Sequence, residues 1–240
     1  MKWHLIEGEA GCAYAVKHHC TAIIVDALRA SATATMLLHA GALELIVVHK
    51  VADALAARDR HPNALLFGER GGLPPEGFDY GNSPRDTSPA QGRLILFTTT
   101  TGALRLLQAW GALAVYMGTT LNARAVAKVA ESHQADIVVI PAGLAGHPGY
   151  NAQEDWVGAT VIANAGNGVV GHGEDQYRHW SKRIAQEGAQ ALFEGAPHAE
   201  NLRNVGLADD ILFCAQVDIT STVPAAVMRT EDGLIVRNGG

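Results

Sequence analysis

Short β-branched runs alternate with alanine-rich stretches along most of this chain, and that alternation restricts the fold more than any single motif does. The apolar runs fall at residues 21–25, 43–48, 64–67, 93–97, 113–117 and 136–140. Between and after them lie segments that read as helices, at 31–39 (ended by Gly41), 52–58, 103–110, 122–132, 154–165, 176–187 and 197–204. Strands that alternate with helices bury both faces of a sheet. The pattern therefore predicts an α/β fold, a three-layer α/β/α sandwich around a mostly parallel or mixed sheet. With 240 residues, 48% of them hydrophobic, the chain is long enough to fill such a core and reads as a single domain over 1–240. The N-terminal runs 3–6 and 12–16 read as edge strands, 211–217 as a late strand and 234–237 as a final edge strand.

Charge narrows the choice of partners. The net charge is −6 and no basic stripe is present, which argues against nucleic acid. No apolar run reaches the roughly 18 residues of a membrane span. The start, Met1-Lys2-Trp3-His4, lacks the apolar centre of a signal peptide, so the expected location is cytoplasmic. Cys12, Cys20 and Cys214 form no CxxC pair and read as reduced thiols. Alanine-rich helices with few charges lead us to expect a homodimer.

The segment 68–84 holds five glycines and three prolines, so neither a helix nor a central strand continues through it. It follows a strand and carries Glu69, Arg70, Asp79 and Asn82. We read it as an ordered loop over an active site. Glu69 and Arg70 would do the chemistry, residues 73–78 would form the cover, and 82–84 the turn back to the sheet. Ligands of such folds sit beyond the carboxyl ends of strands. That rule gathers Asp26, Glu69, the run Thr98-Thr99-Thr100-Thr101, the segment 118–122 and the loop before Glu154.

Each of these has a functional and a plain reading. The threonine run offers hydroxyls and free N–H groups to an anion, or it simply ends a strand and caps a helix. It is no Walker loop, since no Gly-Lys-Ser/Thr follows. Asp26 at a strand end can hold magnesium or act as nucleophile or base, or it can cap a helix. Leu28 breaks the Asp-x-Asp arrangement of the haloacid-dehalogenase phosphatases. Arg29 can fork onto a phosphate or sulfonate, or lie on the surface. Glu154 and Asp155 can ligate a metal, or serve the dipole of the helix they open. His172, Glu174, Asp175 and His179 match no zinc spacing and read as surface residues. A Gly-x-Ser-x-Gly elbow and a helix-opening Gly-x-Gly-x-x-Gly are both missing, which leaves serine hydrolases and dinucleotide enzymes without support.

Several segments, taken in order, carry a family resemblance. They are Val25-Asp26-Ala27-Leu28-Arg29-Ala30-Ser31, the whole loop 68–84, Thr98-Thr99-Thr100-Thr101-Gly102, and Gly118 with Asn122-Ala123. To these are added Ala142-Gly143 with Glu154-Asp155, and Cys214-Ala215-Gln216-Val217-Asp218 with Val223-Pro224. In this order the chain resembles the 2-phosphosulfolactate phosphatase family of the coenzyme M route over nearly its full length. The resemblance implies magnesium-dependent hydrolysis of 2-phospho-3-sulfolactate to 3-sulfolactate and phosphate. Combined with the residues above, it leads to an expected metal set of Asp26, Glu69, Glu154 and Asp155. Arg29 and Arg70 are expected to stabilise phosphoryl charge or grip the substrate's acid groups. Ser31, Asn82, Thr98, Thr99, Thr100 and Asn122 are expected to bind substrate oxygens. The chain departs from the family pattern where Thr101-Gly102-Ala103 replaces Asn-Gly-Thr. Two rivals stay open: a phosphotransferase or lyase on the same scaffold, and a non-catalytic protein that binds a small anion.

Overall fold

Apolar runs of four or five residues become strands, most of them inside the sheet, because both of their faces are covered. The computed structural model describes residues 1–240. The first half of the chain contains β1 (Lys2–Leu5), α1 (Gly8–Lys17), β2 (Thr21–Val25), α2 (Ala30–His39), β3 (Glu44–Val47), α3 (Val51–Arg60), β4 (Leu65–Gly68), β5 (Leu94–Thr98), α4 (Gly102–Gln108) and β6 (Ala114–Met117). The second half contains α5 (Ala123–Glu131), β7 (Ile137–Pro141), α6 (Gln153–Ala165), β8 (Val169–Val170), α7 (Glu174–Glu187), α8 (Ala189–Glu194), α9 (Pro197–Asn204), α10 (Ala208–Cys214), β9 (Pro224–Arg229) and β10 (Leu234–Asn238).

Side chains alternate across the strands with period two. Ile23 and Val25 of β2 join one core cluster together with residues of α5, α6, α8, α9 and α10. Ala22 and Ile24, on the other face, join a second cluster with residues of α1, α2 and α4. A third cluster places Ala54 and Ala57 of α3 against Ile46, Leu66 and Leu96. Helices thus cover both faces, as a three-layer α/β/α arrangement requires.

The sheet has ten strands in the order β4-β5-β3-β10-β9-β6-β2-β7-β1-β8. Two parallel blocks, β4-β5-β3 and β6-β2-β7-β1-β8, flank the antiparallel pair β10-β9. Between β3 and β6 lie three antiparallel pairings in succession, so the blocks run in opposite senses. Residues at their carboxyl ends still come together, since Asp26 after β2 and Glu69 after β4 border one cavity. The second cluster contains strand residues of both blocks, among them Ile24, Ile140, Val47 and Phe97.

Four sequence expectations change. Residues 12–16 belong to α1, whose buried Gly8, Gly11, Cys12 and Ala15 recur at helical spacing. Residues 211–217 do not form a strand: 208–214 are α10, with Asp210, Ile211 and Cys214 buried and Leu212 exposed. The run 234–237 lies inside β10, which is no edge strand but sits between β3 and β9 in the middle of the sheet. Its partner β9, the two-residue edge strand β8 and the short helix α8 were not foreseen. β1, expected at an edge, lies one strand in, between β7 and β8.

Candidate active site

The segments that leave β2, β4, β5 and β7 border one cavity of about 360 Å³. Asp26 leaves β2, Glu69 leaves β4, Thr100 and Thr101 leave β5, and Gly143 and Leu144 follow β7. Glu154 and Asp155 reach it from the first turn of α6. The opposite wall is α9 with the residue after it: His198, Asn201, Leu202, Asn204 and Val205. Its spacing of three or four residues keeps this wall on one helix face.

Four carboxylates therefore share a small, partly dry space, and their hydrogen bonds divide them. Asp155 accepts the N–H of Ala27 at 2.8 Å on one oxygen and that of Gly143 at 3.0 Å on the other. It fastens the end of β2 to the end of β7. Glu69 accepts the N–H of Thr100 at 2.7 Å and that of Gly72 at 3.0 Å. Asp26 accepts the Ala30 N–H at 3.1 Å through Oδ1, which caps α2. Glu154 is 2% exposed, with Oε1 3.5 Å from His198 Nδ1 and Oε2 without any partner. A buried carboxylate oxygen that bonds to nothing is costly, and it marks a place for a cation or a donor.

Electrostatics follow from this crowding. Burial, reinforced by Glu69 and Glu154 and opposed by His198 and the Ala30 N–H, pushes Asp26 up to about 6. Burial also lifts Asp155 well above the carboxylate range, and the charges of Glu154 and Asp26 add to it. Burial alone would lower His198, but Glu154, Asp26 and Glu69 outweigh it and raise its pKa. Each shift has the sign expected for like charges packed together and for a cation among anions.

Gly102 explains part of the local sequence. A Cβ there would lie 2.6 Å from Ala30 Cβ and 2.8 Å from Asp26 Oδ2, so only glycine lets α4 start against the Asp26 carboxylate. Gly72 has φ +87°, a left-handed turn that aims its N–H at Glu69.

A family description, 2-phosphosulpholactate phosphatase, matches residues 11–228 of this chain. A protein of Pseudothermotoga lettingae named probable 2-phosphosulfolactate phosphatase is 32% identical over 212 residues, covering 88% of this chain and 90% of the relative. One of the same name from Deinococcus radiodurans is 35% identical, covering 86% and 87%. Another from Thermus thermophilus is 34% identical, covering 90% and 91%. The chain belongs to the 2-phosphosulpholactate phosphatase family. That family comprises phosphoric monoester hydrolases, so its members are enzymes.

Within this family member, the residues singled out from sequence part into two groups. Asp26, Arg29, Glu69, Asn82, Thr100, Glu154 and Asp155 border the cavity. Arg70, Ser31, Thr98, Thr99 and Asn122 do not, and their polar atoms are engaged in the fold. Arg70 donates to the carbonyls of Glu69 and His49 and to Thr98 Oγ1. Thr98 in turn donates to the His49 carbonyl, and Thr99 Oγ1 accepts the Ala103 N–H in the first turn of α4. Ser31 Oγ accepts the Asp26 N–H and donates to the Ile24 carbonyl. Asn122 accepts the Thr119 N–H and donates to the Thr222 carbonyl. Strand-end polar residues are drawn into such bonds because the buried backbone there has no other partner. Arg29 borders the cavity, but its Nη1 donates to Asp210 at 2.6 Å and its Nη2 to the Gly72 carbonyl at 2.8 Å. The expected cover, 73–78, lies off the cavity, and α9 stands there instead. His198, Asn201 and Asp210 were missed. The i, i+3 spacing of His198 and Asn201 was legible on the expected helix 197–204, but its partner across the cavity was not.

Proposed function

We propose that this chain is a magnesium-dependent phosphatase that hydrolyses a small, strongly anionic phosphate monoester, 2-phospho-3-sulfolactate, to 3-sulfolactate and phosphate. One observation carries the reading: four carboxylates face one cavity, and Glu154 Oε2 lacks any partner. Neither positive group there is free, since Arg29 is held by Asp210 and His198 faces Glu154. An anionic ester entering such a cavity is repelled unless a cation intervenes. Oxygen ligands of this hardness suit magnesium. No three acidic or histidine side chains converge as a ready-made cage, so loading the ion requires carboxylates to swing inward.

Asp26 and Glu154, each with an oxygen free of protein partners, would hold the ion, with Glu69 completing the set. Asp155, 4% exposed and pushed toward its neutral form by burial, braces the site through its bonds to Ala27 and Gly143. When bound, the ion would polarise the phosphoryl group and orient or activate the attacking water. His198 is placed to steady Glu154 and to give a proton to the leaving alkoxide oxygen. Thr100, Thr101 and Asn82 offer hydroxyl and amide groups to phosphoryl oxygens, and Asn201 and Asn204 face the rest of the substrate.

The test is release of inorganic phosphate from 2-phospho-3-sulfolactate and a panel of phosphate monoesters, with magnesium or with chelator and no added acceptor. Release that needs magnesium supports the reading. Release only with an added acceptor points to phosphotransfer, and no release from any ester leaves an anion-binding protein.

A further inference from the structure

One chain of hydrogen bonds joins the two ends of the loop 68–84 beneath the cavity. The Thr100 N–H donates to Glu69 Oε1 (2.7 Å), and the Gly72 N–H donates to Glu69 Oε2 (3.0 Å). The Gly72 carbonyl accepts from Arg29 Nη2 (2.8 Å), and Arg29 Nη1 donates to Asp210 Oδ2 (2.6 Å). Asp210 Oδ1 then accepts the Ser83 hydroxyl at 2.8 Å. The loop thus leaves at Glu69 and returns at Ser83, and both ends are tied through residues far away in sequence, at the start of α2 and in α10.

The central pair is deeply buried: the side chains of Arg29 and Asp210 are each 2% exposed. For Arg29 to grip an acid group of the substrate it would have to give up Asp210. That would strand a buried carboxylate, the most unfavourable way to break such a pair. Its second terminal nitrogen already holds a carbonyl of the loop. Both contacts fit a clamp and leave little for a ligand.

We propose that Asp210 is a positioning residue: by fixing Arg29 it locks both ends of the loop and so holds Glu69 at the cavity. Arg29 then shapes the site instead of gripping the substrate. The kinetic part of this inference rests on the phosphatase reading; the structural part does not.

Two measurements test it on the full chain. The first is hydrogen exchange at the amides of Gly72 and Thr100. In Asp210→Asn these amides are expected to exchange about ten- to a hundredfold faster, while those of β2 keep their protection. Ser83→Ala, a milder change that leaves the ion pair intact, is expected to accelerate exchange at Arg85 without affecting Thr100. The second measurement is phosphate release. Asp210→Asn and Arg29→Met are expected to lower kcat about 10- to 100-fold with KM little changed, as loss of support behind a ligating carboxylate does. A double variant, Arg29→Met with Asp210→Leu, replaces the pair by packed apolar groups and guards against mere unfolding. It is expected to stay folded yet keep the fast Gly72 exchange and the low kcat.

Unchanged Gly72 and Thr100 exchange in Asp210→Asn would overturn the proposal. So would a raised KM at unchanged kcat in Arg29→Met, or a double variant with wild-type exchange and turnover. If the wild type releases no phosphate at all, the phosphatase reading fails and the exchange measurement still decides the clamp.

Discussion

Asp26 concentrates the conflict between stability and function in a single residue. Its carboxylate is pushed up to about 6 from an unfolded value of 3.8, chiefly by burial. Between those two values the folded state holds the extra proton, so the stability this group contributes is present at low pH and is lost as pH rises through about 6. Asp26→Asn is therefore expected to make the metal-free protein more stable at pH 7 than the wild type, on the order of 2 kcal/mol, with no gain at pH 3.5. Denaturant titrations across that range in the presence of chelator check the sign; a loss of stability at pH 7 would contradict it. Gly102→Ala works through space instead of charge. The new methyl must displace Ala30 or the Asp26 carboxylate, and overpacking of this kind costs about 1–3 kcal/mol. The expected result is a lower Tm together with depressed phosphate release, and an unaffected variant would show that the contact is slack. At this scale the sequence was partly readable. Acids at strand ends and in the first turn of a helix were visible, because strand and helix limits locate them. Which threonine or arginine faces the cavity was not visible, since that depends on whether a distant partner such as Asp210 or His49 has already claimed it.

Elements were legible in proportion to how local their determinants are. Thr21–Val25 and Ile137–Pro141 announce themselves as strands, because β-branched residues fill both faces. The run Asp210 to Cys214 misled because five residues with a short apolar core fit a strand or a helical turn equally well. What decides it is packing: Ile211 and Cys214 lie against the α8 and α9 side of the core, while Leu212 faces outward. The place of β10 in the sheet was hidden for another reason. A final strand in sequence has no local mark that says centre or edge. Its central place has a consequence, because β10 and β9 are the only strands that join, within the sheet, two parallel blocks that run in opposite senses. Ile235 pairs with Ile46 of β3 and Met228 of β9, and it is 4% exposed. Ile235→Ala is expected to cost about 2–5 kcal/mol and to lower a single cooperative transition followed by circular dichroism. Two separated transitions would show that the blocks fold independently.

The molecule as a whole carries a net charge of −6 and places four carboxylates at one cavity, yet it belongs to a family named for a phosphorylated, sulfonated acid. The proposed cation would reconcile these facts. Binding to the folded state alone stabilises it, by about 2.7 kcal/mol at a hundredfold excess over Kd. Magnesium is therefore expected to raise Tm at pH 7.5 by more than at pH 5, where protons compete for the same carboxylates; an equal shift at both values would place the ion elsewhere. No helix is long and apolar enough to cross a membrane. The most direct measurement is the magnesium dependence of phosphate release from 2-phospho-3-sulfolactate, for the wild type and for Glu154→Gln. Glu154→Gln keeps the shape of the side chain and removes a charge of which one oxygen has no protein partner. Saturable, magnesium-dependent release by the wild type is expected, with Glu154→Gln reduced at least about 100-fold and shifted to higher magnesium. Wild-type turnover and an unchanged magnesium requirement in Glu154→Gln would contradict the assignment of this cavity as the metal-dependent phosphatase site.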